Sequence, residues 1–352
     1  MRRSRNPADR PSAALRWLSQ LLLSTSARAL THVAPRAVHP QNRSSAWHTS
    51  QPAFDEAAAL ERFLYLRIST CPPDVISSWS CGSIGCDAVP VSPGSVHGLG
   101  SGENSALQGY VARIPSTLPT VSCIVSFRDS SNLRNWLTDV DLRRVAWPSD
   151  ELPGPACPGC MVHSGFARAY NTLRDSHLSA IRSLGCRNVS LVGHSLGGAL
   201  ATLAALDLRA SGILVDNLWT FGSPVVGNEA FTTAFIEAAA QQHVHPASWR
   251  VVNKHDPVPL VGREKHFTHV PAQVYYKDSS NYEVCDWSLE HPENRSCNLQ
   301  QASLPSLTLG LLFDGLSTHY TYVNHSVILP GEGCRSVKSS RAAFKLATTG
   351  LI

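Results

Sequence analysis

The chain has 352 residues, 43% of them hydrophobic and 16% charged, the ordinary balance of a compact globular protein with room for one large α/β domain or two smaller ones. Its formal charge of +4 is misleading, because residues 1–54 carry eight arginines against one acid, Asp9, and the body that follows is net −3; such a body offers no nucleic-acid surface. Ten cysteines are too many for an ordinary cytosolic protein, and a single C-x₂-C unit, Cys157 to Cys160, is too little for a four-ligand zinc site, so structural disulfides and an oxidising compartment are expected.

Residues 1–54 read as a leader. Arg2, Arg3, Arg5 and Arg10 make a basic start, the apolar run Ser12–Leu23 is broken by Arg16 and Gln20, and Ala27-Arg28-Ala29 is an A-x-A-like cleavage site. The Arg-rich, Ser-rich, acid-poor composition also fits a mitochondrial or plastid transit peptide. The cysteines favour secretion. No stretch here is long and apolar enough to be a transmembrane segment.

Asp55–Ser69 predicts a helix with Leu60, Phe63, Leu64 and Leu66 apolar, followed by a Cys/Gly/Pro/Ser-rich loop to about Asn104. Gln108–Ile114 and Thr120–Phe127 predict successive strands, the second apolar enough to be central. Leu133, Trp136, Leu137 and Val140 then fall at i, i+3, i+4 and i+7, one apolar face of a short helix. That face suits either a surface helix packed on the core or a lid over an apolar site. Ser164–Leu184 predicts a helix with Ser164 as N-cap. Val215–Phe221 predicts a strand, Asn228–Gln241 a helix capped by Asn228, Trp249–Asn253 a strand, and Phe267–Tyr276 another. Residues 277–318 look irregular apart from Leu304–Phe313. Alternating strands and helices predict an α/β fold with a mostly parallel sheet covered on both faces.

The stretch that points to chemistry is Asn188–Ala199. Val189–Val192 reads as a buried strand, Gly193-His194-Ser195-Leu196-Gly197 matches G-x-S-x-G, and an Ala/Leu-rich helix runs on to Ala210. Strand, sharp turn and helix are the setting of a nucleophile elbow, which makes Ser195 the candidate nucleophile. A serine needs a base, held in one tautomer by a carboxylate. With this elbow the acid follows a later strand and the histidine comes last. Asp256, after a strand and stiffened by Pro257 and Pro259, fits the acid; Asp216 sits at the wrong end of its strand. His266 and His269 fall in the strand predicted after Asp256. His319 and His325, flanking Tyr320–Val323, both remain candidates for the base, and the pattern alone does not separate them.

Taken together, Gly193-His194-Ser195-Leu196-Gly197-Gly198-Ala199, Phe127-Arg128-x-Ser130, Asn135-Trp136, Val162-His163-x-Gly165-Phe166 and Phe221-Gly222-Ser223-Pro224-x-Val226-Gly227-Asn228 resemble the class 3 (fungal, Rhizomucor/Thermomyces-type) triacylglycerol lipases over about residues 55–336. The resemblance implies an α/β-hydrolase fold with Ser195 as nucleophile, Asp256 as acid and His319 as base. It implies backbone N–H donors for the oxyanion at Ser130 and Leu196, and a lid carrying Leu133, Trp136, Leu137 and Val140. It also implies disulfides Cys71–Cys334, Cys81–Cys86, Cys157–Cys160 and Cys285–Cys297, leaving Cys123 and Cys186 as buried free thiols. One departure stands out: Asp129 occupies a position where the family usually has glycine, and it adds negative charge beside the oxyanion residue.

The resulting expectation is a secreted, monomeric lipase, one domain over residues 55–338 with a tail at 339–352, that hydrolyses lipid esters, triacylglycerol first among them, through an acyl-enzyme with access controlled by the lid. It would meet its lipid substrate at an oil–water or membrane interface and need no metal or organic cofactor. Activity should rise as the base loses its proton, near pH 6–7 for an ordinary histidine. The alternatives are an esterase acting on soluble, feruloyl-type esters and a catalytically impaired lipase-like binding protein. Of four N-x-S/T sequons, Asn188 heads the nucleophile strand and should be too buried for glycosylation, whereas Asn294 and Asn324 are candidates and Asn42 lies in the leader.

Overall fold

The computed structural model describes residues 53–81, 86–100, 107–115, 120–128, 141–244, 248–263, 266–279, 281–287, 297, 317–327 and 334, all within one compact unit. The chain enters through helix α1 (Glu56–Ile68), where the Asp55 carboxylate caps the first turn by accepting the Ala58 N–H at 3.0 Å. The Cys/Gly/Pro/Ser-rich stretch that follows is not all loop: it holds a short helix α2 (Pro73–Ser78), opened by a proline, and an edge strand β1 (His97–Leu99).

Strands β2 (Gly109–Ile114) and β3 (Ser122–Phe127) form a hairpin-like antiparallel pair with β1 outside it. Two short strands, β4 (Arg144–Ala146) and β5 (Met161–His163), lead into α3 (Ser164–Ser183). Here His163, with extended backbone, is the N-cap residue and Ser164 is the first helical one, so Ser164 does not act as the expected cap. Strand β6 (Asn188–His194) runs into α4 (Leu196–Ala210), then β7 (Leu214–Phe221), β8 (Gly227–Asn228), α5 (Glu229–Gln241) and β9 (Trp249–Asn253). Asn228 caps α5 as expected, accepting the Phe231 N–H at 3.1 Å.

The single strand expected over Phe267–Tyr276 is two. Strand β10 (Phe267–Thr268) pairs with β8, while β11 (Gln273–Tyr276) joins the main sheet beside β9, and the turn at Pro271 separates them. His266 and His269 accordingly lie outside any strand. Strands β12 (Tyr282–Val284), β13 (Thr321–Tyr322) and β14 (His325–Ser326) complete the set; the apolar patch Leu304–Phe313 is outside the described residues.

The main sheet has eight strands in the order β1-β2-β3-β6-β7-β9-β11-β12. From β3 to β11 every pairing is parallel, and the antiparallel pairs lie at the two edges. The central strands β3, β6 and β9 are buried at every residue, which is why they read as continuous apolar runs rather than alternating ones. Helix α1 packs its Phe63 and Leu66 onto the face that carries Ile124, Val192, Phe221 and Val251. Helix α4, almost wholly buried, lies along β6 and β7 and against α3. A smaller sheet, β10-β8-β5-β4, stands apart from the main one.

All ten cysteines are paired. Cys71–Cys334, Cys81–Cys86, Cys157–Cys160 and Cys285–Cys297 are disulfides. The expectation of free thiols at Cys123 and Cys186 is wrong, because these two form a fifth bond with their Cα atoms 5.8 Å apart, inside the range a disulfide spans. The register puts Cys123 opposite Val189, but the Arg187 and Asn188 N–H groups both donate to the Val121 carbonyl, so the turn that carries Cys186 into β6 lies against the start of β3. Among the described residues no helix is long and apolar enough to cross a membrane.

Candidate active site

Ser195 sits between the carboxyl end of β6 and the first turn of α4, with φ 54° and ψ −125°. A non-glycine residue with positive φ is a strained conformation that its surroundings must hold. Two things hold it. The Ser195 N–H donates to the Phe221 carbonyl of β7 at 3.0 Å, and the flanking glycines let strand and helix nearly touch. A Cβ at Gly193 would lie 2.6 Å from the Gly198 nitrogen and closer to the Gly197 carbonyl, and one at Gly197 would lie 2.7 Å from the Arg128 carbonyl oxygen and nearer still to that of Phe127. The G-x-S-x-G glycines are therefore demanded by close backbone approach. Ser195 is fully buried, and its Oγ has no hydrogen-bond partner among the described residues. Leu196 is the first residue of α4, where a backbone N–H has no carbonyl to bond within its own helix.

The candidate acid and base lie on two other segments. Asp256 lies three residues past β9, its N–H bonded to the Asn253 carbonyl at 3.0 Å. Its Oδ1 accepts the Val258 N–H at 2.9 Å, and its Oδ2 accepts from His319 Nδ1 at 2.8 Å and from the Tyr322 hydroxyl. Both side chains of the His319–Asp256 pair are fully buried. Burial and the neighbouring Asp256 charge push the Tyr322 phenol well above its ordinary pKa, so it stays protonated and remains a donor to the carboxylate. With Nδ1 donating to Asp256, the tautomer leaves Nε2 as the basic nitrogen of His319.

His325, the other candidate base, bonds the Val323 carbonyl through Nδ1 at 2.7 Å and is partly exposed. It does not meet Asp256. Asp216, set aside on sequence grounds, lies near the start of β7 and takes the Ser190 hydroxyl and the Asn188 amide at 3.1 Å each. Burial raises its pKa, and it forms part of a structural knot in the sheet.

His319 is joined to the nucleophile segment through the residue before the serine. The two rings, His194 and His319, have centroids 4.4 Å apart, and His194 Nε2 donates to the His319 carbonyl at 2.8 Å. Gly222, with φ 62°, closes the other side: a Cβ there would fall 2.5 Å from the Tyr322 hydroxyl, 2.7 Å from Asp256 Oδ2 and 2.8 Å from His319 Cε1. Sequence reasoning missed Tyr322, Asn253 and Gly222. Only Gly222 left a trace, within Phe221-Gly222-Ser223-Pro224.

Ser130, Leu133, Trp136, Leu137 and Val140, with Asp129, lie outside the described residues. What flanks them is well ordered by side chains. Arg128, buried at the end of β3, donates through Nη1 to Gln108 Oε1 at 3.0 Å, while the Gln108 amide donates to the Ser69 and Cys71 carbonyls. On the other side, the two ring nitrogens of buried His163 lie 2.9 Å from the Leu142 carbonyl and 2.8 Å from the Gly262 carbonyl. No group of three or more His, Cys, Asp or Glu among the described residues could hold a metal.

A buried serine on a tight strand–turn–helix, at the carboxyl end of a parallel sheet and beside a buried histidine–carboxylate pair, is the constellation of the α/β-hydrolases, and that is the fold of this chain. Residues 124–265 match the family model described as Lipase (class 3), so this segment is similar to the class 3 lipases. Among curated proteins it is similar to the secreted mono- and diacylglycerol lipase 1 of Fusarium solani, 32% identical over 51% of this chain and 50% of that one. It is also similar to the lipase of Rhizomucor miehei, 31% identical over 55% of this chain and 52% of that one. The chain thus spans about half the length of the curated relatives it matches. Among solved structures, lipase II from Rhizopus niveus superposes with a TM-score of 0.59 at 22% identity, covering 78% of this chain and 97% of that one.

Proposed function

We propose that this chain hydrolyses carboxylic esters of lipids, acylglycerols first among them, through an acyl-enzyme. His319 Nε2 takes the Ser195 proton as Oγ attacks the ester carbonyl, and Asp256 holds the ring and offsets the imidazolium charge. The tetrahedral oxyanion is met by the N–H groups of Leu196 and Ser130. Collapse expels the alcohol with the proton from His319, leaving acyl-Ser195. A water deprotonated by His319 then adds to the acyl carbon and releases the fatty acid. The chemistry needs no metal and no organic cofactor.

The observation that carries the reading is the His319 Nδ1–Asp256 Oδ2 bond at 2.8 Å between two fully buried side chains, held against the segment of a strained Ser195. Acylglycerols are favoured because curated relatives carry mono- and diacylglycerol lipase names, and because the sequence spacing of Leu133, Trp136, Leu137 and Val140 is that of one apolar helical face, suited to a lid at a lipid surface. Secretion from a cleaved leader within residues 1–54 is supported by five disulfides, which persist in oxidising compartments, and by relatives named as secreted. The catalytic domain is read as residues 55–338, acting as a monomer.

The test is hydrolysis of an emulsified acylglycerol beside a short soluble ester, for the wild type and Ser195→Ala, with fluorophosphonate labelling of both. Turnover that rises above the substrate's solubility limit, abolished with labelling in Ser195→Ala, is the expected result. Turnover confined to the soluble ester would make it an esterase. No turnover and no labelling of the wild type would make it a lipase-like binding protein.

A further inference from the structure

The base lies in the turn just before a hairpin that is not part of the main sheet. Strands β13 and β14 pair with each other, and neither is a member of the two larger sheets. Backbone ladders therefore do not set the position of His319 relative to Ser195 and Asp256 in the way that they set β6 against β7 and β9. Yet a proton transfer requires that position to be held within a fraction of an ångström.

We propose, building on the triad reading above, that Asn253 is the positioning residue that locks acid and base together. It is the last residue of β9 and 7% exposed. Its backbone carbonyl accepts the Asp256 N–H at 3.0 Å, which sets the turn that carries the acid. Its side-chain amide donates both hydrogens to the turn that carries the base, to the Thr321 carbonyl at 2.6 Å and the Thr318 carbonyl at 3.2 Å. These two carbonyls bracket His319. The carbonyl of His319 itself is taken by His194 Nε2, so three donors from β6 and β9 grip one short turn.

The chemistry of the partners fixes which end of the amide points at the turn. Both are carbonyl oxygens, which only accept. An oxygen in place of Nδ2 would face two acceptors and be repelled, so an aspartate is the wrong residue here despite its identical shape. Asn253 touches neither substrate nor the reacting atoms. It acts through Asp256 and His319.

The experiment compares full-length Asn253→Ala and Asn253→Asp with the wild type, each normalised to fluorophosphonate-titrated sites. We expect kcat on a soluble ester to fall about 10–100-fold in Asn253→Ala, with KM within about twofold, because a misplacement near 1 Å is felt in the chemical step. Asn253→Asp should fall further. Its added carboxylate should also move the acid limb of kcat/KM to higher pH, by favouring the imidazolium. A merely structural residue would lower Tm and leave kcat per titrated site and the pH profile unchanged, and that outcome overturns the proposal.

A measurement that does not use turnover separates this idea from the hydrolase reading. The proton shared between His319 Nδ1 and Asp256 should give a far-downfield resonance in the wild type, absent from His319→Gln. Loss or broadening of that resonance in Asn253→Ala supports the lock even in a chain that hydrolyses nothing; its persistence unchanged overturns it. If neither Asn253 variant folds, His194→Phe keeps a ring packed against His319 without the Nε2 donor. The same resonance should then broaden, and a sharp unshifted signal there counts against the grip on this turn.

Discussion

At Gly197 the start of α4 comes close to the backbone at the end of β3, and replacing this glycine with alanine isolates what that approach does. The new Cβ would stand 2.7 Å from the Arg128 carbonyl oxygen and nearer still to that of Phe127, against about 3.3 Å for an ordinary carbon–oxygen contact. Neither partner is a flexible side chain, so either the end of β3 or the start of α4 must move by roughly 1 Å. The cost in stability is about 1–3 kcal/mol, read as a Tm lower by about 3–10 °C. The cost in catalysis is larger in proportion. The chain leaving β3 leads directly to residue 130, and α4 begins with the Leu196 N–H, so moving them apart opens the site that would bind the oxyanion. A loss of about 10²-fold in kcat follows, the order seen when one oxyanion donor is removed. Turnover and fluorophosphonate labelling should be measured well below Tm. Gly98→Ala is the control, since a Cβ there meets nothing within 4 Å, and it should stay within about 0.5 kcal/mol of wild type. Wild-type Tm and kcat in Gly197→Ala would refute the reasoning.

Asp256→Asn keeps the shape but cannot hold His319 in the same tautomer, and kcat should fall about 10³–10⁴-fold; a loss below tenfold would remove Asp256 from the triad. His177, fully buried in α3, has its pKa lowered to about 4, chiefly by burial. Its folded pKa is depressed, so the stabilisation is complete above about pH 6.5 and is lost as pH falls toward 4, when the unfolded chain takes up the proton first, by at most about 3 kcal/mol. Urea unfolding at pH 7 and pH 4.5 should therefore show a smaller pH effect in His177→Gln than in wild type, and equal slopes would contradict this. Denatured, unreduced protein should show no thiol toward a chromogenic disulfide reagent, and Cys123→Ala/Cys186→Ala should cost about 2–4 kcal/mol. Finally, Asn324 is exposed at a hairpin tip while Asn188 is 2% exposed with its amide engaged by Asp216. Secretory expression should yield a glycan on Asn324 and none on Asn188, checked by enzymatic deglycosylation and peptide mass.

The local features of this protein are written in the sequence. Buried parallel strands announce themselves as continuous apolar runs, as at Val189–Val192, because both faces are covered. The Asn228 cap is legible because it acts within three residues, whereas Ser164, read as a cap, falls one residue inside its helix. The elbow at Ser195 is legible because its glycines form a fixed short motif, although only Gly193 answers a constraint within it, the backbone of Gly197 and Gly198, while Gly197 answers the distant carbonyls of Phe127 and Arg128. What the linear pattern could not carry were contacts made across the fold. The choice between His319 and His325 rests on a bond spanning 63 residues. Tyr322 and Asn253 look like ordinary strand-end residues until β13 and β9 are brought together. The Cys123–Cys186 bond likewise depends on the turn before β6 meeting the start of β3. The split of Phe267–Tyr276 into strands of two different sheets follows the same rule, because a turn at Pro271 sends one apolar stretch to two partners. Sequence by itself singled out the candidate nucleophile and its turn, through a short glycine motif between a strand and a helix. Only the tertiary structure decided which histidine and which supporting donors meet Asp256, because hydrogen bonds between distant segments exist only once the sheet has set their distance.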